Sequence, residues 1–276
     1  MQCHVINVAS AKDRRERFIS NYNQFAPPDW KLSVFAAVTP DDVADIGGSI
    51  RPVEKACFES HRRLIAQLAR QRHEQPPFIF EDDAVFLPQT VGTLPGYLSL
   101  LPVDWDIAFT CIRVGAIDQM LRFFTMYPRL APHRTAVFDL RRLSFFGTSA
   151  YLVNPSRLDR VEAVLDQFSL LDHPYDTFLD RMAKSGALSI WTCFPFLTSL
   201  ERCESTIQVS ADRLRDELLT IYTRWMSFAG RNDADMRWVE DAIAGDARLG
   251  GAGFGSLVGA LIDLKLERDP PRGGGT

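Results

Sequence analysis

The chain has 276 residues, enough for one large domain or two closely joined ones with a substantial core. With 46% hydrophobic and 24% charged residues it has the balance of a globular protein, not of a disordered or fibrous one. A net charge of −4 excludes a general nucleic-acid binder, whose footprint would be strongly basic. The five cysteines (Cys3, Cys57, Cys111, Cys193 and Cys203) form no Cys-x-x-Cys pair, so the spacing shows no zinc framework and predicts reduced thiols. The start, Met1 to Val5, lacks the apolar stretch of a signal peptide, and no later segment supplies the ~20 apolar residues of a membrane span. A cytoplasmic location is expected.

In chain order, His4 to Val8 reads as a first strand, and the polar stretch Ser10 to Arg17 opens a helix that runs on through Phe18 and Ile19. Leu32 to Val38 is rich in the β-branched and aromatic residues of a half-buried strand. Asp41 to Ser49 is a loop punctuated by Gly47-Gly48. A helix follows from about Val53 to Arg72, with Cys57, His61, Leu64 and Leu68 spaced along one face.

Pro76-Pro77 ends that helix, and Phe78 to Phe80 begins a strand that runs into Glu81-Asp82-Asp83. Asp106 to Ile112 is another strand, while residues 113 to 142 show little periodicity but carry Arg129, His133, Arg134, Arg141 and Arg142. Ser144 to Val153 reads as a strand interrupted by Gly147, and Asn154-Pro155 supplies a cap and first residue for a helix with an apolar stripe from Leu158 to Phe168. Asp172-His173-Pro174 starts a shorter helix, and Ser189 to Phe194 is a further strand. Beyond Ile207 the pattern is mostly helical through Leu214, Leu218, Ile221, Trp225, Trp238, Val239 and Ile243, and the Pro- and Gly-rich end from Asp269 reads as a disordered tail. The alternation of strands and helices predicts an α/β sandwich with a largely parallel sheet.

The acidic triplet is the most telling feature. Ligands of open α/β sheets bind just beyond the carboxyl ends of the strands, and oxygen-only clusters suit Mg²⁺ or Mn²⁺. An ion there could bridge to a diphosphate; the bland alternative is a polar turn. On an extended strand Glu81 and Asp83 share a side and Asp82 faces the other unless the strand has turned.

Several segments together resemble glycosyltransferase family 25, which includes lipooligosaccharide and collagen galactosyltransferases. The start Val5-Ile6-Asn7-Val8 with Asp13-Arg14-Arg15, the segment Cys57-Phe58-Glu59-Ser60-His61, and Phe78 to Phe86 (FIFEDDAVF) resemble successive motifs of that family. So do Gly147 to Val153, Pro174-Tyr175-Asp176 and Ser205-Thr206-Ile207, in the same order over residues 4 to 207. Ala56 in place of glycine, and the stretch Ser199 to Glu204, depart from the pattern.

The resemblance implies a GT-A-like, Rossmann-like three-layer sandwich over 1–207, with a helical extension over 208–268 and a tail over 269–276. It implies a metal-dependent, inverting transfer of a hexose from a UDP-sugar to a cell-surface glycan acceptor. Asp83 would hold Mn²⁺ or Mg²⁺, and Asn7, Arg14, Glu81 and Asp82 would meet the donor. Asp176 would be the general base, against the plainer reading of a carboxylate at a helix start. Ser60 and His61 would wall the site, although a histidine on an apolar stripe is by default a core residue.

Arg14 has an equally plain reading as part of a solvated helix face. The irregular 113–142 region, with Phe123, Phe124 and Tyr127, suits an acceptor loop, or else simple surface charge. Weak peripheral membrane association through Phe254 to Leu266 is a further expectation. Rival readings are a non-catalytic relative that binds nucleotide-sugar or carbohydrate, favoured by the departures, and a metal-dependent phosphohydrolase.

Overall fold

The computed structural model describes residues 1–126, 134–201, 213–230 and 232–245. The chain runs β1 (Gln2–Asn7), α1 (Lys12–Phe25), β2 (Lys31–Ala36), α2 (Pro52–Ala69), β3 (Phe78–Glu81), β4 (Ala84–Phe86), α3 (Thr90–Leu100) and β5 (Ile107–Arg113). It continues through α4 (Ile117–Met126), β6 (Ala136–Asp139), β7 (Phe146–Val153), α5 (Leu158–Asp166), α6 (Tyr175–Ser185), β8 (Ile190–Phe194), β9 (Thr198–Leu200), α7 (Arg213–Trp225) and α8 (Asp233–Gly245).

Seven strands form one sheet in the order β2-β1-β3-β7-β5-β8-β6, and β4 pairs with β9 in a small second sheet. The expectation of a mostly parallel sheet holds in that β1, β2, β3, β5 and β8 point one way, as their parallel pairings and the antiparallel ones through β7 require. Strand β7 runs against both β3 and β5, and β6 runs against β8. The result is a mixed α/β sheet compatible with a Rossmann-like arrangement.

Side-chain alternation builds a core on each face. Phe78 and Phe80 of β3, Ala150 and Leu152 of β7, and Cys3 and Val5 of β1 pack with Phe18 and Tyr22 of α1 and Leu94 and Tyr97 of α3. Ile79, Tyr151 and Val153 point the other way, toward Phe58, Leu64 and Leu68 of α2, Val161 and Leu165 of α5, and Phe178 and Leu179 of α6. Phe80 is fully buried, its ring 4.1 Å from Phe78, 5.0 Å from Phe86 and 5.5 Å from Phe18 by centroids. Helix α2 starts where the sequence placed it, with Pro52 in its first turn and Glu54 Oε2 accepting the Arg51 N–H at 2.9 Å.

Three features depart from the sequence expectations. Residues 113 to 142 are not irregular where they are described, because Met120, Phe123 and Phe124 form the apolar stripe of α4 and Ala136–Asp139 is an edge strand. Phe123 and Phe124 are 2% and 8% exposed, so the core has taken the rings that an acceptor loop would have offered to sugars. Helix α3 contains Gly92, Pro95 and Gly96, residues that argue against a helix locally; its buried Leu94 and Tyr97 show that tertiary packing decides the matter. The short strands β4 and β9 carry too few residues for a periodic signal.

Helix α7 contributes buried Leu218, Leu219, Ile221, Tyr222 and Trp225 to the core shared with β5 and α4. Cys203, the Ser205-Thr206-Ile207 match, Tyr127, Arg129, His133, the 254–266 segment and the 269–276 tail lie outside the described residues. Among the described residues no helix is long and apolar enough to cross a membrane.

The strand that carries the acidic triplet should be anchored chiefly by Phe80. Phe80→Ala is expected to cost roughly 3–5 kcal/mol in urea unfolding. Val34→Ala, on the exposed edge strand β2, should cost less than about 1 kcal/mol.

Candidate functional site

Three strands end at the same side of the sheet with a polar or charged residue: Asn7 on β1, Glu81 on β3 and Arg113 on β5. Because β7 is antiparallel, its first residues, Phe146 to Ser149, return to that same edge. Gly147 sits at φ +81°, a left-handed conformation that costs glycine little, and there its N–H points at Asp176. Helix α2 lies over the gap with Glu54 and Cys57, and the start of α6 closes it with Pro174, Tyr175 and Asp176. The resulting cleft, of about 100 Å³, is lined by Glu54, Cys57, Glu81, Asp83, Arg113, Thr148 and Asp176 among others. Of two larger hollows, one of about 580 Å³ beside α2 and α5 holds none of the expected donor, metal or base residues, and one of about 570 Å³ beside α4 and β6 is lined by Phe123, Arg141 and Arg142 of the segment expected to form an acceptor loop.

The triplet divides as strand geometry requires. Asp82 turns to the α1 side, where its Oδ2 accepts from Asn7 Nδ2 at 2.7 Å and its Oδ1 pairs with the Arg14 guanidinium. Glu81 and Asp83 face the cleft. The Thr148 hydroxyl donates to Glu81 Oε1, and His61 Nε2 faces the same oxygen at 3.5 Å. Asp83 Oδ2 is 3.9 Å from Arg14, while its Oδ1 is buried without a hydrogen-bond partner. The turn itself is pinned from behind, since the Asp83 carbonyl accepts the Glu201 N–H at 2.8 Å just beyond the β4–β9 pairing.

Electrostatics separate the two cleft carboxylates. Burial and the nearby Glu81 charge push Asp83 up to about 6, against the pull of Arg113 and Arg14. Burial also raises Glu81, but His61, Thr148 and Arg113 together outweigh it and leave this carboxyl below its usual range. A charged Glu81 beside a reluctant Asp83 is an arrangement that a cation relieves.

The other expected residues fall as follows. Asp176 lines the cleft, with Oδ2 accepting from Gly147 N at 3.0 Å and Oδ1 from Thr177 N at 2.7 Å. Arg14 reaches the acidic turn through Asp82 and stands outside the cleft lining. His61 is buried behind Glu81, with Nδ1 2.8 Å from the Tyr151 hydroxyl and its ring stacked on Tyr175 at 4.3 Å. Ser60 is turned away, its hydroxyl accepting the Val38 N–H at 2.9 Å and donating to the Ala56 carbonyl at 2.7 Å, so it holds α2 against the chain after β2.

Sequence reasoning missed Arg113, Thr148 and Tyr175. The first two carried a usable signal, a charged end to an otherwise buried strand and a hydroxyl beside a glycine at the start of another. Tyr175 carried none beyond its place inside the Pro174-Tyr175-Asp176 match.

A divalent ion fits the expected place in one respect and meets a competitor in another. The unpartnered Asp83 Oδ1, next to a second carboxylate, suits a hard ion that takes one or two protein oxygens and completes its shell with water and phosphate. The group of three donors gathered within 4.8 Å among the described residues is instead Cys57, His61 and Glu81. Comparison of the chain with protein-family models and with curated proteins finds no match.

Proposed function

We propose that this chain is a metal-dependent, inverting glycosyltransferase with a GT-A-like fold, moving a hexose from a UDP-sugar to a cell-surface glycan acceptor from the cytoplasmic side. The observation that carries this reading is the pairing of Glu81 and Asp83 at the carboxyl end of β3, with an unpartnered oxygen, opposite Asp176 and beside Arg113. Ordered motif resemblance supports it, and so does the placement at the strand ends where open α/β sheets bind ligands. Mn²⁺ or Mg²⁺ held at Asp83, when bound, would offset the charge that develops on a departing diphosphate.

The remaining roles belong to the protein's own groups. Arg113 places a fixed positive charge beside the two carboxylates and can pair with phosphate through its planar fork. Asn7 and Arg14 hold Asp82, so the turn presents Asp83 and not Asp82 to the cleft. Asp176 is fixed by two backbone N–H groups and faces the space where an acceptor hydroxyl would lose its proton. The same two bonds favour a second reading. A carboxylate already occupied by a helix start and a glycine turn also fits a relative that binds the nucleotide-sugar without transferring it.

Asp83→Asn should abolish Mn²⁺-dependent UDP binding in isothermal titration, a loss of at least about a hundredfold. It should also stabilise the free protein by on the order of 2 kcal/mol at neutral pH, because the burial of a charged carboxylate and its repulsion with Glu81 are both removed. Unchanged metal dependence in this variant would overturn the reading.

The pH dependence follows from the same group. The Asp83 carboxyl is raised from 3.8 to about 6 on folding, so its contribution to stability is complete below pH ~4 and is lost as pH rises through about 6. Cation binding needs the charged form and runs the opposite way. Mn²⁺-dependent UDP affinity should fall roughly tenfold per pH unit below about 6, and Asp83→Asn should remove that slope.

Asp176→Asn separates the two readings. For an enzyme it leaves UDP affinity near wild type and lowers the transfer rate by roughly 10²–10⁴. For a binding protein no transfer exists to be lost.

A further inference from the structure

The residues at the back of the cleft point to a second cation chemistry, which shares Glu81 with the donor site and adds two ligands of a different kind. Cys57 and His61 are four residues apart on α2 and so present their side chains one helical turn apart on one face. Glu81 meets them from the end of β3, and the three donor atoms lie within 4.8 Å of one another. His61 Nε2 is 3.5 Å from Glu81 Oε1 and has no hydrogen-bond partner, although His61 is 1% exposed. A buried imidazole nitrogen aimed at a carboxylate and left without a hydrogen bond is an incomplete arrangement.

The surroundings resemble those that orient metal ligands. The second imidazole nitrogen, Nδ1, is engaged by the Tyr151 hydroxyl at 2.8 Å, which in turn lies 3.3 Å from the Tyr175 hydroxyl. Stacking on Tyr175, 11° from parallel, fixes the ring plane. Thr148 donates to Glu81 and fixes the carboxylate. Such outer partners set the tautomer and direction of ligating side chains.

We infer that Cys57, His61 and Glu81 form a three-ligand site for a borderline-soft divalent ion of the Zn²⁺ class, with its remaining position open to the cleft. Thiolate and imidazole select Zn²⁺ or Co²⁺ over Mg²⁺ and Mn²⁺, which prefer oxygen. Three protein ligands and one open position is the pattern of sites that leave room for water or substrate, whereas structural zinc is closed by four. No Cys-x-x-Cys spacing announces the site, since one ligand comes from a strand 20 residues beyond the helix pair. This assignment does not depend on the donor-sugar reading, because it uses Cys57 and His61, which a hard ion at Asp83 would not need.

The test is a titration of the tag-free, chelator-treated full chain with Co²⁺, with no nucleotide present, read by absorption. Tetrahedral cobalt bound to thiolate gives intense visible bands and a near-ultraviolet thiolate-to-metal band. The expected result is one saturable site showing that band, competed off by Zn²⁺, with Cys57→Ser abolishing the band. His61→Gln should weaken affinity at least about tenfold, and Asp83→Asn should keep the band.

Cys57→Ser is the decisive variant, since it changes one atom at a half-buried position, and its thermal unfolding checks that the fold survives. A wild-type protein that binds no Co²⁺ with a thiolate band overturns the assignment. So does a band that persists in Cys57→Ser, which would place the ion on another cysteine. Because nucleotide is absent, failure here leaves the UDP reading standing, and failure of Mn²⁺-dependent UDP binding leaves this site standing.

Discussion

The structure around the cleft turns on one constraint: three consecutive carboxylates end a strand whose preceding residues, Phe78 to Phe80, are fully buried. Negative charge at the edge of a low-dielectric core is costly unless it is paired or hydrogen-bonded. Each carboxylate meets that requirement differently. Asp82 has Arg14 and Asn7, and Glu81 has Thr148 with His61 facing it. Asp83 has a distant Arg14 and one oxygen with no partner. Compensation is therefore graded along the triplet, and the least compensated group is the one in the cleft whose pKa is raised.

The topology makes this grading possible. A strictly parallel sheet would bring only strand ends to the cleft, with loops between them. The reversed strand β7 instead delivers a strand beginning, so Gly147 and Thr148 stand directly beside Glu81 and Asp176. The β4–β9 ladder adds a second clamp, because it fixes the backbone immediately after the triplet and the Glu201 N–H takes the Asp83 carbonyl. An acidic turn held on both sides cannot swing away from its own charge repulsion. The scaffold therefore holds the repulsion in place, and a proton on Asp83 or a bound cation would relieve it.

What the sequence could reveal follows the same division between local and assembled features. The strand from Phe78 and the helix from about Val53 were legible because periodicity and caps are local, whereas Asn154-Pro155, expected to open a helix, caps a short 3-10 turn over Pro155–Arg157 and α5 begins only at Leu158. The placement of Glu81 and Asp83 on one side was legible from the two-residue repeat alone. Helix α3 was not, since Gly92, Pro95 and Gly96 oppose it and only packing favours it. Nor was α4, whose Phe123 and Phe124 could equally have been read as exposed rings. Arg113 and Thr148 join the site only through strand order and the reversal of β7, and Tyr175 through the packing of the start of α6 against them. The gathering of Cys57, His61 and Glu81 is likewise a property of the packing of α2 on β3, with a sequence gap too wide for any ligand-spacing rule.

Size sets the last limit on what the cleft does. A volume of about 100 Å³ matches an ion with a few waters, each taking about 30 Å³ of liquid, and is small beside a nucleoside with a hexose. Ligand pockets for molecules of that size run to several hundred cubic ångströms. What the cleft offers is charge: Glu81, Asp83, Arg113 and Asp176 are groups suited to a cation, a phosphate oxygen or a hydroxyl proton. Under the proposed function, discrimination between one sugar or base and another would have to come from surfaces outside this ring of charges. On that reading the chemistry and the specificity of the site would be carried by different residues, and the acidic triplet would speak only for the first.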